Sequence, residues 1–271
     1  MNVQLTGLFD YDSLIYMSVY KIVDFKQLRQ WYRLGKTREW IEAEIVQYAS
    51  ARLFTKGYRI FEYLEERGIE IIECHYYITA AKNSRRKKTI KSYKANRKKN
   101  KWVQKVRQFL LDTAFAHTSD EWEADDLIKD KADELGRGEY IIITVDKDLK
   151  QIPGFYFDYY DVKKVDPMTK ERVSQGMRGL SAVDPEEAKR FFWESMLIGD
   201  SGDNIQGIKG IGPKRAKKIL DPHDVDALNT VVRRVYEEEY GKEAGEIKYK
   251  EAYFLLKLGV KNRDEWLEDK Q

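Results

Sequence analysis

YIIITVDKDL, residues 140–149, joins an uninterrupted apolar run to two aspartates. A run this short, apolar at successive positions, suits a strand buried on both faces. Such strands belong to parallel sheets covered by helices on each side. Val3–Phe9 reads as a similar buried strand ending at Asp10. Ile69–Ile78, rich in β-branched and aromatic residues, predicts a second strand, and Phe155–Tyr160 another. Between them, Val46, Ala49, Leu53, Ile60, Phe61 and Leu64 recur at helical spacing before Gly68. Ala124, Leu127, Ile128, Ala132 and Leu135 mark a further helix that Gly136 and Gly138 close. Strand, helix, strand, helix, strand implies an α/β unit with right-handed crossovers. From about residue 184 the pattern turns helical. Asp184, Pro185 and Glu187 form a helix-start signal, and Ala188, Phe191, Phe192 and Met196 supply its buried stripe. We therefore expect a sheet domain over 1–183 and a helical region over 184–271.

The 271 residues include 49 Lys/Arg and 46 Asp/Glu, a net charge of +3 that hides an asymmetry. Residues 82–107 hold 13 Lys/Arg and no acid, leaving 36 basic against 46 acidic residues elsewhere. One cationic segment on an acidic body points to an anionic partner, most often nucleic acid. Ile90, Tyr93, Trp102, Val103 and Val106 give the segment helical character. Cys74 is the one cysteine, which excludes internal disulfides and a cysteine-rich zinc site; three histidines argue against a histidine-dominated one. No apolar run approaches a membrane span, and MNVQLTGLFDYDSL lacks the pattern of a signal peptide. A reducing cytoplasmic setting fits.

Acids stand where such a fold places its ligands. Asp10 and Asp12 follow the first strand, and Asp146 and Asp148 follow the central one. Sites in open α/β sheets form at the carboxyl ends of strands. Glu123, Asp125 and Asp126 lie in WEADDL at a helix start, and Asp200 and Asp203 lie in GDSGD. Singly, each is more often a cap or turn residue. Together, two carboxylates ~4 Å apart repel by roughly 4 kcal/mol at an effective dielectric of 20 and call for cations. All-oxygen ligands favour Mg²⁺ or Mn²⁺ over zinc. Two such ions are a known device for phosphodiester hydrolysis.

The stretches LFDYDSLIY, SYKANRK, WEADDLI, TVDKDLKQIP and GDSGDNIQGIKGIG, in this order over residues 5–220, resemble the phage 5′-nucleases. These are relatives of the flap endonucleases and of the 5′-nuclease domain of bacterial DNA polymerase I. The resemblance implies a PIN-like α/β domain with a helical arch, about 82–115, and a helix-hairpin-helix element. It implies 5′-to-3′ exonuclease and flap endonuclease action on DNA or RNA–DNA hybrids by a monomer in phage replication. Asp10, Glu123 and Asp125 would hold a first metal; Asp126, Asp146, Asp148, Asp200 and Asp203 would hold a second, with Asp12 further out. Lys94 and Arg97 would contact the scissile phosphate from one helix face, and Tyr93 would either stack on a base or pack at the arch base. Arg85 and Arg86 join the DNA-binding set. Gly207, Gly210 and Gly212 would let backbone approach phosphates, Ile208 and Ile211 would anchor the hairpin, and Lys214 and Arg215 would add charge. A potassium ion bound by hairpin carbonyls is a further expectation.

One departure matters. The family carries an aspartate after the second strand, in a pattern like D-x-x-x-x-R. In YYITAAKNSRRK that place falls on Thr79 or Ala80, and Ala80 matches better because of Arg85. The first metal is then under-liganded. Either the chain is a weakened or binding-only member, or an aspartate has been exchanged for alanine, which we favour because the other acids are intact. A non-catalytic DNA-structure binder is the alternative reading. A PIN-type ribonuclease is the third, and the glycine hairpin argues against it.

Overall fold

The computed structural model describes residues 3–20, 22, 25–79, 84–98, 100–113 and 116–260, with the side chains of Phe25 and Arg85 left aside. The chain runs β1 (Val3–Asp10), α1 (Tyr11–Val19), α2 (Phe25–Arg33), α3 (Arg38–Glu65) and β2 (Ile69–Tyr77). Next come α4 (Arg85–Thr89), α5 (Lys101–Asp112), α6 (Ala124–Leu135), β3 (Tyr140–Ile143), β4 (Gly154–Val165) and β5 (Arg172–Val183). The remainder is α7 (Pro185–Ile198), the two-residue strands β6 (Gly199–Asp200) and β7 (Ile205–Gln206), α8 (Pro213–Leu220), α9 (Leu228–Tyr240) and α10 (Lys242–Leu256).

The main sheet has the order β2-β1-β3-β4-β5. The pairings β1 with β2, β1 with β3 and β3 with β4 are parallel, and β5 is antiparallel. The mostly parallel α/β architecture is the one expected. The period-2 alternation of β3 feeds both faces. Ile141 and Ile143 join a core with Leu53, Ile60 and Leu64 of α3 and Val106 and Leu110 of α5. Tyr140 and Ile142 join another with Ala124, Ile128 and Ala132 of α6 and Ala188 of α7. A third core unites α7, α8, α9 and α10, and Tyr93 of the basic segment enters it. Asp184 accepts a 2.8 Å hydrogen bond from the Glu187 amide, so the helix-start signal acts as read.

Helices α1 and α2 and strand β5 did not stand out by periodicity. Lys91–Asn96, expected in a helix, is a turn in which Lys94 has φ 54°. The spacing of Lys94 and Arg97 therefore does not place them on a helix face; the two are brought together by docking of that turn.

Two glycines separate packing from propensity. A Cβ on Gly207 would lie 2.1 Å from the carbonyl oxygen of Ile198, because β7 crosses closely over the end of α7. A Cβ on Gly57, inside α3, meets nothing within 4 Å. Gly207→Ala should cost about 1–3 kcal/mol through overpacking, and Gly57→Ala should gain about 0.5–1 kcal/mol of helix propensity. Urea unfolding of both variants checks the opposite signs.

Candidate metal and nucleic-acid site

Strand β1 has β2 on one side and β3 on the other, so connections leave it in opposite directions. Ligand clefts open at such a switch point, beyond the carboxyl ends of the strands. Asp10 ends β1, and Asp146 follows β3 by three residues. Asp10 is 2% exposed. Its carboxylate caps α1 through the Ser13 amide and accepts a 2.7 Å bond from Thr144 Oγ1. Asp146 accepts from the Asp148 amide at 2.9 Å and so fixes the turn after β3.

These acids share one electrostatic neighbourhood. Burial raises Asp10 to about 6, and the charges of Asp12 and Asp146 add to it. Burial, then Asp146 and Asp10, raises Asp125 well above the usual carboxylate range. Burial and Asp146 raise Asp148 to about 7, with Asp200 and Asp203 contributing against the relief from Lys147. The sheet edge thus brings Asp10, Asp125 and Asp146 together, and Asp146 joins them to Asp148, Asp200 and Asp203. Among the described residues no three His, Cys, Asp or Glu side chains already close on a point that could hold a metal ion. The donor set nonetheless fits hard divalent cations: it is all oxygen and partly buried, and its crowding raises the cost of ionisation.

Cations of the basic segment lie on the same acids. Lys94 Nζ donates to Glu123 Oε1 at 3.0 Å and stands 3.5 Å from Asp203 Oδ2. Arg97 pairs with Asp203 and donates from Nε to the Gly202 carbonyl at 3.3 Å. The turn is fastened by its backbone as well: the Lys94 amide donates to the Asp203 carbonyl at 2.8 Å. Asn96 Nδ2 donates to the Ser201 carbonyl, and Asn204 Nδ2 to the Ser92 carbonyl, both at 2.8 Å. Burial opposes ionisation of Glu123, but Lys94 and Arg86 more than reverse this and hold it near 2.

Several expectations need correction here. Arg86 is not a DNA contact. It is 2% exposed, donates twice to Asp126 at 2.9 and 3.0 Å, and reaches Glu123 Oε2 at 2.9 Å and the Lys257 carbonyl at 2.9 Å. Asp126 is correspondingly engaged by the protein's own groups. It is 0% exposed, and besides Arg86 it accepts from the amides of Glu123 and Gly259. Tyr93 does not offer its ring to a base: it is 4% exposed and lies in the helical core, with its hydroxyl facing Glu123 and Asp203. Gly207 serves the close backbone crossing over α7 and not a phosphate. The side chain of Arg85 and the whole of Ala80 lie outside the described residues. Thr79 beside it is structural: its hydroxyl accepts from the Ala124 amide at 3.0 Å, and its amide donates to Asp12.

Around the hairpin, Ile208 and Ile211 are buried as anchors. Gly212 precedes α8 without side-chain capping, and Gly210, Lys214 and Arg215 are exposed. Motif reading missed Arg107, which grips Asp12 at 2.7 Å and ties α5 to α1, and Thr144, whose signal is only its place before VDKD.

Two outcomes follow from these charges. Arg86→Ala should cost about 3–5 kcal/mol in urea unfolding, because two buried carboxylates lose their partner. Asp10 and Asp148 have folded pKa values above the ordinary carboxylate value of 3.8, so between pH 5 and 7 the folded state binds more protons than the unfolded. Their contribution to stability therefore falls as pH rises through that window. Asp10→Asn should flatten the fall in metal-free protein, and Mg²⁺ should release protons on binding, measured as buffer-dependent heat.

No family model matches the sequence. The chain is 33% identical over 117 residues to the flap endonuclease Xni of Shewanella piezotolerans, covering 42% of this chain and 43% of that one. It is 30% identical over 182 residues to DNA polymerase I of Caldicellulosiruptor bescii, covering 60% of this chain and 20% of that protein. The chain thus spans less than half the length of either relative. In fold it is similar to a phage T5 protein crystallised with metal ions, at a TM-score of 0.55 and 14% identity, covering 94% of this chain and 90% of that one. The T5 flap endonuclease in complex with DNA and metal ions gives 0.53 and 14%, over 94% and 89% of the two chains. The resemblance to the 5′-nuclease family, carried by five motifs, thus holds in both sequence and fold.

Proposed function

We propose that this chain is a divalent-metal-dependent 5′-nuclease that hydrolyses phosphodiester bonds near the 5′ ends of DNA. The observation that carries this reading is the gathering of Asp10, Asp125 and Asp146 at the sheet's switch point, beneath Lys94 and Arg97. When bound, two Mg²⁺ or Mn²⁺ ions would supply nucleophile activation and charge stabilisation at the scissile phosphate. Asp10, Asp125, Asp146, Asp148, Asp200 and Asp203 are the residues that would hold them, with Glu123 at the border between ion site and basic segment.

Lys94 and Arg97 neutralise acids in the absence of substrate. A phosphate arriving at the site offers them a competing anion, and their charge would then stabilise the negative transition state. The exposed Gly210, Gly212, Lys214 and Arg215 of the hairpin suit duplex backbone, which they would grip without reading base identity. The relatives' names include flap endonuclease, and a T5 neighbour was crystallised with DNA. Both support flaps, overhangs and 5′ ends as substrates. We assign the sheet part, 1–183, with Asp200 and Asp203, to chemistry and the rest of 184–271 to duplex binding. Action on RNA–DNA hybrids, potassium at the hairpin carbonyls, a monomeric state and a role in phage replication in the host cytoplasm complete the proposal. No helix among the described residues is long and apolar enough to cross a membrane.

Ala80 favours one competing reading, a DNA-structure binder without catalysis. A panel of 5′-flap, overhang, blunt duplex and RNA–DNA substrates with Mg²⁺ or Mn²⁺, run beside binding in EDTA, separates the two. We expect weak cleavage by the chain as it stands and a gain of orders of magnitude for Ala80→Asp. Tight binding with no cleavage by Ala80→Asp would select the binder. Lys94→Ala in the Ala80→Asp background should lower the turnover rate while flap binding persists.

A further inference from the structure

Two of the three histidines of the chain meet beside β2, with neither among the carboxylates just described. His75 lies in β2, and His117 lies in the segment that returns from α5 towards α6. That segment is held beside the strand: the His117 amide donates to the Tyr76 carbonyl at 2.7 Å, and the Ile78 amide donates to the His117 carbonyl at 3.0 Å. His75 Nδ1 and His117 Nε2 stand 3.3 Å apart, with ring centroids 5.3 Å apart. Two imidazole nitrogens bound to one zinc-sized ion at about 2.0–2.1 Å in tetrahedral geometry would be separated by about 3.3 Å. The two nitrogens now share a hydrogen bond, and the same spacing lets an ion replace the bridging proton.

The far side of His75 strengthens the case. Glu73 Oε1 lies 3.1 Å from His75 Nε2, off the line of an N–H bond. A turn of this exposed carboxylate onto the N–H line would give the support usual for a metal-binding imidazole. Glu134 is close enough to feel His75, and Lys131 bears on His117 while pairing with Glu134. Partial desolvation of the ring, His75 and Lys131 shift His117 below the ordinary imidazole range. It is also exposed, leaving room for water ligands.

We propose that His75 and His117 form a binding site for a borderline transition-metal ion such as Zn²⁺ or Ni²⁺, completed by water and oriented by Glu73. The pair differs in kind from the carboxylate site, because imidazole selects such ions while carboxylates favour Mg²⁺ and Mn²⁺. An ion held there clips β2 to the segment leading into the helix that carries Asp125.

The test is calorimetric titration of Ni²⁺ into the full chain slightly above neutral pH, with excess Mg²⁺ to occupy the carboxylates. One Ni²⁺ per chain is expected, with affinity reduced at least about tenfold by His75→Gln or by His117→Gln, and about tenfold by Glu73→Gln. His223→Gln should leave it unchanged. Ni²⁺ should also raise the melting temperature of the parent and not of His117→Gln, whose exposed position leaves folding intact. Absence of binding in the parent, or affinity unaltered in either histidine variant, overturns the proposal.

Discussion

Repulsion among carboxylates at the carboxyl ends of β1 and β3 is the constraint to which much of this structure responds. Strand order places Asp10 beside the turn that carries Asp146, and the start of α6 adds Asp125. No apolar packing could relieve that crowding. Relief comes from three sources: partial protonation, the hydrogen bonds of Ser13 and Thr144 to Asp10, and the cations of the basic segment on Glu123 and Asp203. Such a cluster costs stability, and perturbed carboxylates of this kind gather at functional sites.

The acids of WEADDL show how one short stretch divides its labour. Glu123 and Asp126 form reciprocal helix-start contacts and both face Arg86. Asp125 faces the other way, towards Asp10 and Asp146. Helical geometry makes this unavoidable, because adjacent residues differ by about 100° around the axis. Arg86 therefore joins α4 to the start of α6 and to the backbone at Lys257, fastening the base of the basic segment to the C-terminal part. The residues nearest the carboxylate cluster inherit their positions from this buried ion cluster.

Much of the architecture was legible in residue patterns. Buried parallel strands announce themselves by uninterrupted apolar runs, and β3 is fully buried as YIIITV suggested. Strand β5 escaped notice because RVSQGMRGLSAV alternates poorly and most of it is exposed. Motif order anticipated the convergence of Asp10, Asp125 and Asp146. What motif order could not supply was direction. Arg86 and Tyr93 lie in a cationic, aromatic stretch that suggests a ligand surface, yet both turn inward. A charge run says how many cations lie nearby and nothing about which one the fold has taken for its own acids. Gly207 likewise looked like an opening for a ligand and is a contact between two backbones.

The irregular pairing of β4 with β5 has a consequence for the molecule in a crowded solution. Register shifts interrupt the ladder between Asp158 and Asp161 and again between Asp161 and Lys163, and Gly179 sits at φ 89°. Strand β5 ends the sheet order, so among the described residues its outer side bears no sheet neighbour. A flat, regular ribbon of twelve residues at that position would template the addition of foreign strands. Bulges that coil the ribbon, together with Arg172 and Arg178 along it, deny a second chain the long straight register that fibril growth needs.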